Sequence, residues 1–181
     1  LKLIAKPKMS ETAMGIFDSV DEAMNAVYKT MAGGVVPVAM EFLDNLSIRA
    51  VEEKFHKGLS VDAGAILITE VDGNSKDDLS RQLDLIEAAF KENGCTNFKR
   101  AKDKQESDDI WFARRNVSQA ITIYGNKKLN EDITVPRSKL PELLKKIGEV
   151  AQEHALKVPC FGHTGDGNVH TNVMVEDGND K

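Results

Sequence analysis

"TAMGIFDSVDEAMNAVYKTMAGGVVPVAMEFLD", residues 12–44, decides the fold. The apolar run at 12–17 reads as a short strand. Directly after it, Ser19 and Glu22 stand three apart, the spacing at which a hydroxyl and a carboxylate cap each other's backbone N–H groups and start a helix. Val20, Ala23, Met24, Val27 and Met31 then share one helical face, and Gly33 ends it. Residues 36–44 read as a second strand, followed by a helix from about Leu46 to His56. The same order returns downstream. "AGAILITEV" (63–71) is a strand, Ser75 with Asp78 opens a helix whose apolar face is Leu79, Leu83, Ile86 and Phe90, Gly94 closes it, and 95–101 is a weaker strand. Strand, helix, strand, twice over, predicts an α+β fold of two related halves. The arrangement expected is ferredoxin-like, an antiparallel sheet with flanking helices on one side. A doubly wound parallel sheet is the rival, and the charges that interrupt the apolar runs, Glu41 and Glu70, count against it.

From Glu106 the pattern changes. Residues 106–121 read as a helix in which Ile110, Ala113, Val117 and Ile121 share a face. Residues 125–136 run through a loop into a short strand. Ser138 begins an amphipathic helix with Leu140, Leu143, Leu144, Ile147 and Ala151 as its stripe. Residues 156–163 and 168–175 are two strands around a glycine turn.

The chain has 181 residues, enough for one domain with a sizeable core. With 24 basic and 29 acidic residues it carries no field that would attract a nucleic acid. No apolar run is long enough to span a bilayer. Cys95 and Cys160, far apart, read as buried or free thiols in a reducing compartment, the cytoplasm. The opening "LKLIAKP", without an initiator methionine, and the end "VEDGNDK" read as a piece of a longer polypeptide.

Chemistry concentrates in "FGHTGDGNVH", residues 161–170. As a hairpin it places His163 at the end of one strand and His170 near the start of the next. Directly opposed residues have Cβ atoms about 4.5–5.5 Å apart, so two imidazoles there can reach one metal ion. Alternation puts His170, Asn172 and Met174 on one face. A polar hairpin with two ordinary histidines explains the same residues. A phosphate loop does not fit, since no Lys-Ser or Lys-Thr follows the glycines. A catalytic metal site has three protein ligands; the third is Asp166, a residue elsewhere in the chain, or one beyond Lys181.

"IWFARRN" (110–116) is the second candidate. Adjacent Arg114 and Arg115 point about 100° apart on a helix, so at most one faces inward. An inward arginine suits a carboxylate, and Ser118 lies one turn on, on the same face. Alternatively both arginines pair with Asp108, Asp109 or Asp132. His56 and His154 read as solvated, and Trp111 as core.

"EDITVPRSKLPELL" followed by "FGHTGDGNVHTN" resembles the C-terminal domain of FAD-linked oxidases, a family acting on 2-hydroxy acids such as glycolate, D-lactate and D-2-hydroxyglutarate. "LKLIAKP", "VPVAMEFLDNLSIRAVE" and "DIWFARRNV" extend the resemblance over nearly the whole chain. It implies a cap or substrate domain over residues 1–181, two ferredoxin-like halves in series. FAD would be bound mainly by an N-terminal domain of the same polypeptide that is not part of this chain. His163 and His170 would be ligands of a divalent metal (zinc, iron or manganese), and Arg114, Ser118 and Asn172 would contact a small 2-hydroxy acid. An iron–sulfur subunit or another electron acceptor would be the partner. A lysine of some members falls about where Asn130 stands, which counts against a large dicarboxylate. A downstream Glu-His pair, supplying a third ligand and the base, falls beyond Lys181, so the piece alone is expected to be inactive. A ligand-sensing module without catalysis is the alternative, to be told apart by what precedes Leu1.

Overall fold

The computed structural model describes residues 6–176; most of "LKLIAKP" and of "VEDGNDK" lies outside them. The first half contains β1 (Met9–Phe17), α1 (Val20–Ala32), β2 (Ala39–Asp44), α2 (Asn45–Phe55), β3 (Ala65–Gly73), α3 (Lys76–Glu92) and β4 (Cys95–Arg100). The rest contains α4 (Lys104–Ala120), β5 (Lys127–Thr134), α5 (Leu140–Glu153), β6 (Cys160–His163) and β7 (Asn168–Val175). Among the described residues one seven-stranded sheet forms, in the order β4-β1-β3-β2-β6-β7-β5, with antiparallel neighbours throughout.

The α+β fold and antiparallel sheet are as the sequence predicts, but the two strand–helix–strand units are not the two halves. The two strand–helix–strand units interlock into a single ferredoxin-like half, β4-β1-β3-β2. A second, β5-α5-β6-β7, repeats the scheme: β5, β7 and β6 lie side by side as β1, β3 and β2 do. The halves join edge to edge through β2 and β6, pairing Glu41 with His163, Phe42 with Gly162 and Leu43 with Phe161.

Helices cover both faces of the sheet, not one. On the first face α1, α3 and α5 pack Met24, Val27, Leu83, Phe90 and Leu140 onto Phe17, Phe42 and Leu67. On the second, α2 and α4 pack Ile48, Val51, Ile110 and Val117 onto Leu43, Ile66, Ile68 and Phe161. The reason is visible in β3, where "AILI" is apolar on both sides of the pleat, so each face removes apolar area from water only if a helix covers it.

Local signals largely decide the ends of elements. The Ser19–Glu22 capping box forms in both directions, at 3.3 and 3.0 Å. Ser75 precedes α3 but makes no capping bond; Asp78 instead accepts from Arg81 and Gln82. Where a loop running into a short strand is expected at 125–136, the strand takes up most of the segment: β5 has eight residues, almost wholly exposed along the sheet edge. Residues 137–139 form a 3-10 turn, so α5 starts at Leu140, two residues later than Ser138 suggests. Both cysteines are free, Cys160 buried and Cys95 half-buried. No described helix is long and apolar enough to cross a membrane.

Asp44 links the halves. It caps α2 by accepting from Ser47 N (2.8 Å), and its other oxygen accepts from Cys160 N on β6 (2.7 Å). Burial pushes its carboxyl up to about 6, outweighing the hydrogen bonds that favour the charged form.

Candidate metal and carboxylate site

One stripe of α4 organises the second face of the sheet. Ser107, Trp111, Arg114 and Ser118 are spaced four, three and four, so they lie along a single side of the helix. Each meets a different strand. Ser107 Oγ and Thr12 Oγ1 of β1 are 2.8 Å apart. Trp111 Nε1 donates to Glu70 of β3 (3.0 Å). Arg114 Nε donates to Glu41 of β2 (2.6 Å). Ser118 Oγ accepts from Lys128 Nζ of β5 (3.0 Å). Trp111 thus combines partial burial with a specific polar bond.

The glycine turn is anchored to two neighbouring segments. Thr164 Oγ1 and Gly165 N both donate to Met40 O, at 3.0 and 3.2 Å. Arg137 donates to Gly165 O (2.8 Å). Gly167 has φ +85°, and a Cβ there would sit 2.1 Å from Val135 O, so only glycine fits. Asp166, a candidate third ligand, is engaged in the turn and accepts from Asn168 N (3.1 Å).

The strand register pairs His163 with Asn168 and Phe161 with His170. The two histidines are therefore diagonal neighbours on one face, not directly opposed. Their rings nevertheless approach to 5.3 Å between centroids, 79° apart in plane. Each ring has a carboxylate on the same nitrogen: His163 Nδ1 lies 2.7 Å from Glu41 Oε1, and His170 Nδ1 lies 2.5 Å from Asp132 Oδ1. A carboxylate on Nδ1 makes that nitrogen the proton donor and leaves the Nε2 lone pair bare. The hydrogen bond from His170 holds the Asp132 carboxyl below the usual carboxylate range. Arg114 NH2 is 3.5 Å from His163 Nε2, as suits a bare acceptor nitrogen.

Arg114 is the inward arginine. Its side chain is 15% exposed, lies 5.2 Å over the Phe161 ring and shares Glu41 with His163. Arg115 points outward and pairs with Asp108. Glu41, 6% exposed, uses one oxygen on each of two site residues. Sequence reading passed over it as an interruption of a strand, although an acid within the apolar "AMEFLD" was the available signal. Asp132, expected as a surface partner for arginine, instead bonds His170 and Asn130.

Asn172 is fully buried; its amide nitrogen donates to Pro159 O and His170 O, and its Oδ1 has no hydrogen-bond partner among the described residues. Ser118 and Asn130 are exposed. Lys128, two residues before Asn130 on the same face of β5, reaches Ser118 and was missed by sequence reading. His56 caps α2 in the left-handed conformation (φ 51°), and His154 is exposed at the end of α5. A cleft of about 280 Å3 opens beside Glu41 and His163. Among the described residues no group of three or more His, Cys, Asp or Glu is placed to hold a metal ion, so the site offers two imidazoles. The donor chemistry fits an ion that accepts bare imidazole nitrogens, each backed by a carboxylate, the usual outer support of metal-bound histidine.

The family described as FAD linked oxidases, C-terminal domain, matches residues 6–181. The chain is 36% identical over 179 residues to the glycolate oxidase subunit GlcD of Escherichia coli, a match covering 97% of this chain and 35% of that protein. It is 30% identical to a probable mitochondrial D-lactate dehydrogenase of Danio rerio, over 97% of this chain and 35% of that one. The chain thus spans about a third of the length of these curated relatives. Solved structures of alkyldihydroxyacetonephosphate synthase (TM-score 0.67, 14% identity, 94% of this chain and 37% of that one) and of p-cresol methylhydroxylase (0.69, 9%, 95% and 40%) share its fold.

Proposed function

The chain belongs to the family of FAD linked oxidases, C-terminal domain, and from that premise we propose that it is the substrate- and metal-binding portion of an FAD-dependent 2-hydroxy acid dehydrogenase, acting on glycolate or D-lactate. One observation carries the reading: two imidazoles with bare Nε2 atoms, each backed by a carboxylate, stand beside an inward arginine. A 2-hydroxy acid presents a carboxylate next to a hydroxyl, and the site has a group for each. The Arg114 guanidinium binds the carboxylate through its NH1/NH2 end, because Glu41 holds its Nε. Lys128, near Ser118, adds a second cation for the same carboxylate or for a longer acid. His163 and His170 hold a divalent ion (zinc, iron or manganese) through Nε2. Asn172 is the contact for the substrate hydroxyl, its Oδ1, buried and unpartnered among the described residues, becoming the acceptor when the side chains covering it shift to admit the ligand. When bound, the ion would supply Lewis acidity at that hydroxyl, and FAD, held by another domain, would supply the two-electron oxidant. A third metal ligand and the base come from the remainder of the longer protein, as does contact with an iron–sulfur or other electron acceptor.

Full-length protein is expected to contain flavin and to reduce a dye with glycolate or D-lactate. His163→Ala is expected to lower its metal content. Absence of both flavin and 2-hydroxy acid turnover would sink the reading, and unchanged metal content would remove the ligand assignment.

A further inference from the structure

We propose that Glu41 is a positioning residue that sets two members of the site at once: it fixes the tautomer of His163 and it orients Arg114. The inference rests on the reading above and adds a requirement to it. Glu41 is 6% exposed in a strand whose other inward residues are apolar, so burying its carboxyl group costs solvation that its two hydrogen bonds must offset. Both oxygens are committed. Oε2 takes Arg114 Nε at 2.6 Å, and Oε1 takes His163 Nδ1 at 2.7 Å. The bond to Nε uses one edge of the guanidinium and leaves the NH1/NH2 end for a ligand carboxylate, while the Phe161 ring supports its plane. The bond to Nδ1 keeps the imidazole proton on that nitrogen and leaves Nε2 as an acceptor, 3.5 Å from Arg114 NH2 and on the side where the His170 ring approaches. Backbone pairing of Glu41 with His163 across the β2–β6 joint brings the two side chains side by side.

Glutamine tests this because it cannot serve both partners. If its oxygen accepts from Arg114 Nε, its NH2 faces His163 Nδ1, which must then become the acceptor. The proton moves to Nε2 and the lone pair offered to the metal is lost. If the amide turns the other way, its NH2 opposes Arg114 Nε and the guanidinium is released. Asp132→Asn is the control, since Asp132 bonds His170 and Asn130 but not Arg114.

The experiment uses full-length wild type, Glu41→Gln and Asp132→Asn, with Zn2+ affinity measured by chelator competition, KM and kcat for glycolate, and the 15N signals of labelled histidine. Glu41→Gln is expected to weaken Zn2+ binding roughly 10–100-fold, and to raise the glycolate KM roughly tenfold or more through loss of one charge-assisted bond. It is also expected to change which nitrogen of His163 bears the proton. Asp132→Asn is expected to weaken Zn2+ to a similar degree, to raise KM less than Glu41→Gln does, and to leave the protonated nitrogen of His163 unchanged. Were Glu41→Gln to match wild type in Zn2+ affinity and KM, or to move both no more than Asp132→Asn does, the positioning role would be overturned while the functional reading stood. If wild type neither binds Zn2+ nor oxidises glycolate or D-lactate, that reading falls, and the His163 nitrogen signals alone decide: an unchanged protonation pattern in Glu41→Gln overturns the inference.

Discussion

Arg114 shows at the residue scale why type and neighbourhood matter more than charge. Its guanidinium donates along one edge to Glu41, rests over Phe161 and turns NH2 of its far end toward His163 Nε2, 3.5 Å away. Lysine would keep the charge but concentrate it at one point, unable to hold Glu41 and a carboxylate together. In full-length protein Arg114→Lys is expected to raise the KM for glycolate roughly 10–100-fold, the loss of about 1.5–3 kcal/mol in charge-assisted hydrogen bonding. The metal content should stay near wild type, because the carboxylates on His163 and His170 remain. A KM within twofold of wild type would show that Arg114 does not meet the substrate. The approach of His163 to His170, the inward turn of one arginine of the Arg114–Arg115 pair, and the places of Ser118 one turn from Arg114 and Asn172 beside His170 were legible from period alone, whereas the metal and substrate roles rest on the resemblance and remain proposals. Glu41, Asp132 and Lys128 were not, since each becomes notable only when a distant strand is laid beside it.

At the scale of elements, the start of α1 was the most legible. Both residues of its capping box are local, so spacing alone suffices. Ser19→Ala should cost about 1 kcal/mol of stability, read as a lower denaturation midpoint with unchanged denaturant slope; no change would mean that the box contributes nothing net. The hairpin between β6 and β7 was legible as a turn but not in its register. Register depends on how the turn is bound to Met40 and Val135, partners more than 30 residues away in sequence. Gly167→Ala must either push Val135 away or give up the left-handed turn. It is expected to lower stability by more than about 1 kcal/mol and to weaken metal binding, with both imidazoles displaced. Retention of full stability and metal affinity would contradict that coupling. Covering helices on both faces were not foreseen, because a four-residue apolar run carries no sign of which side of it meets solvent.

For the whole molecule, the joint between halves is the feature that pH should reveal. Asp44, capping α2 and accepting from β6, has its carboxyl raised from 3.8 to about 6. A raised folded-state pKa means the native protein holds this proton more tightly than the unfolded chain does. Its contribution is thus fully present below about pH 4 and declines as pH rises through 6. Asp44→Asn removes that dependence. The variant should be less stable overall, one N–H having lost its acceptor, yet the decline between pH 4 and 6.5 should be shallower than in wild type by on the order of 1–2 kcal/mol. Equal slopes in thermal or denaturant unfolding would exclude Asp44 as the source. The same joint has a consequence for ligands. Glu41 belongs to the first half, and His163, His170 and Asp132 to the second. Anything bound to His163 therefore leans on β2 through Glu41, so occupancy and cohesion of the joint are linked. An ion on His163 and His170 would sit in the second half alone and reach β2 only through the Glu41–His163 bond, so losing it would slacken that one tie across the joint where the two halves meet.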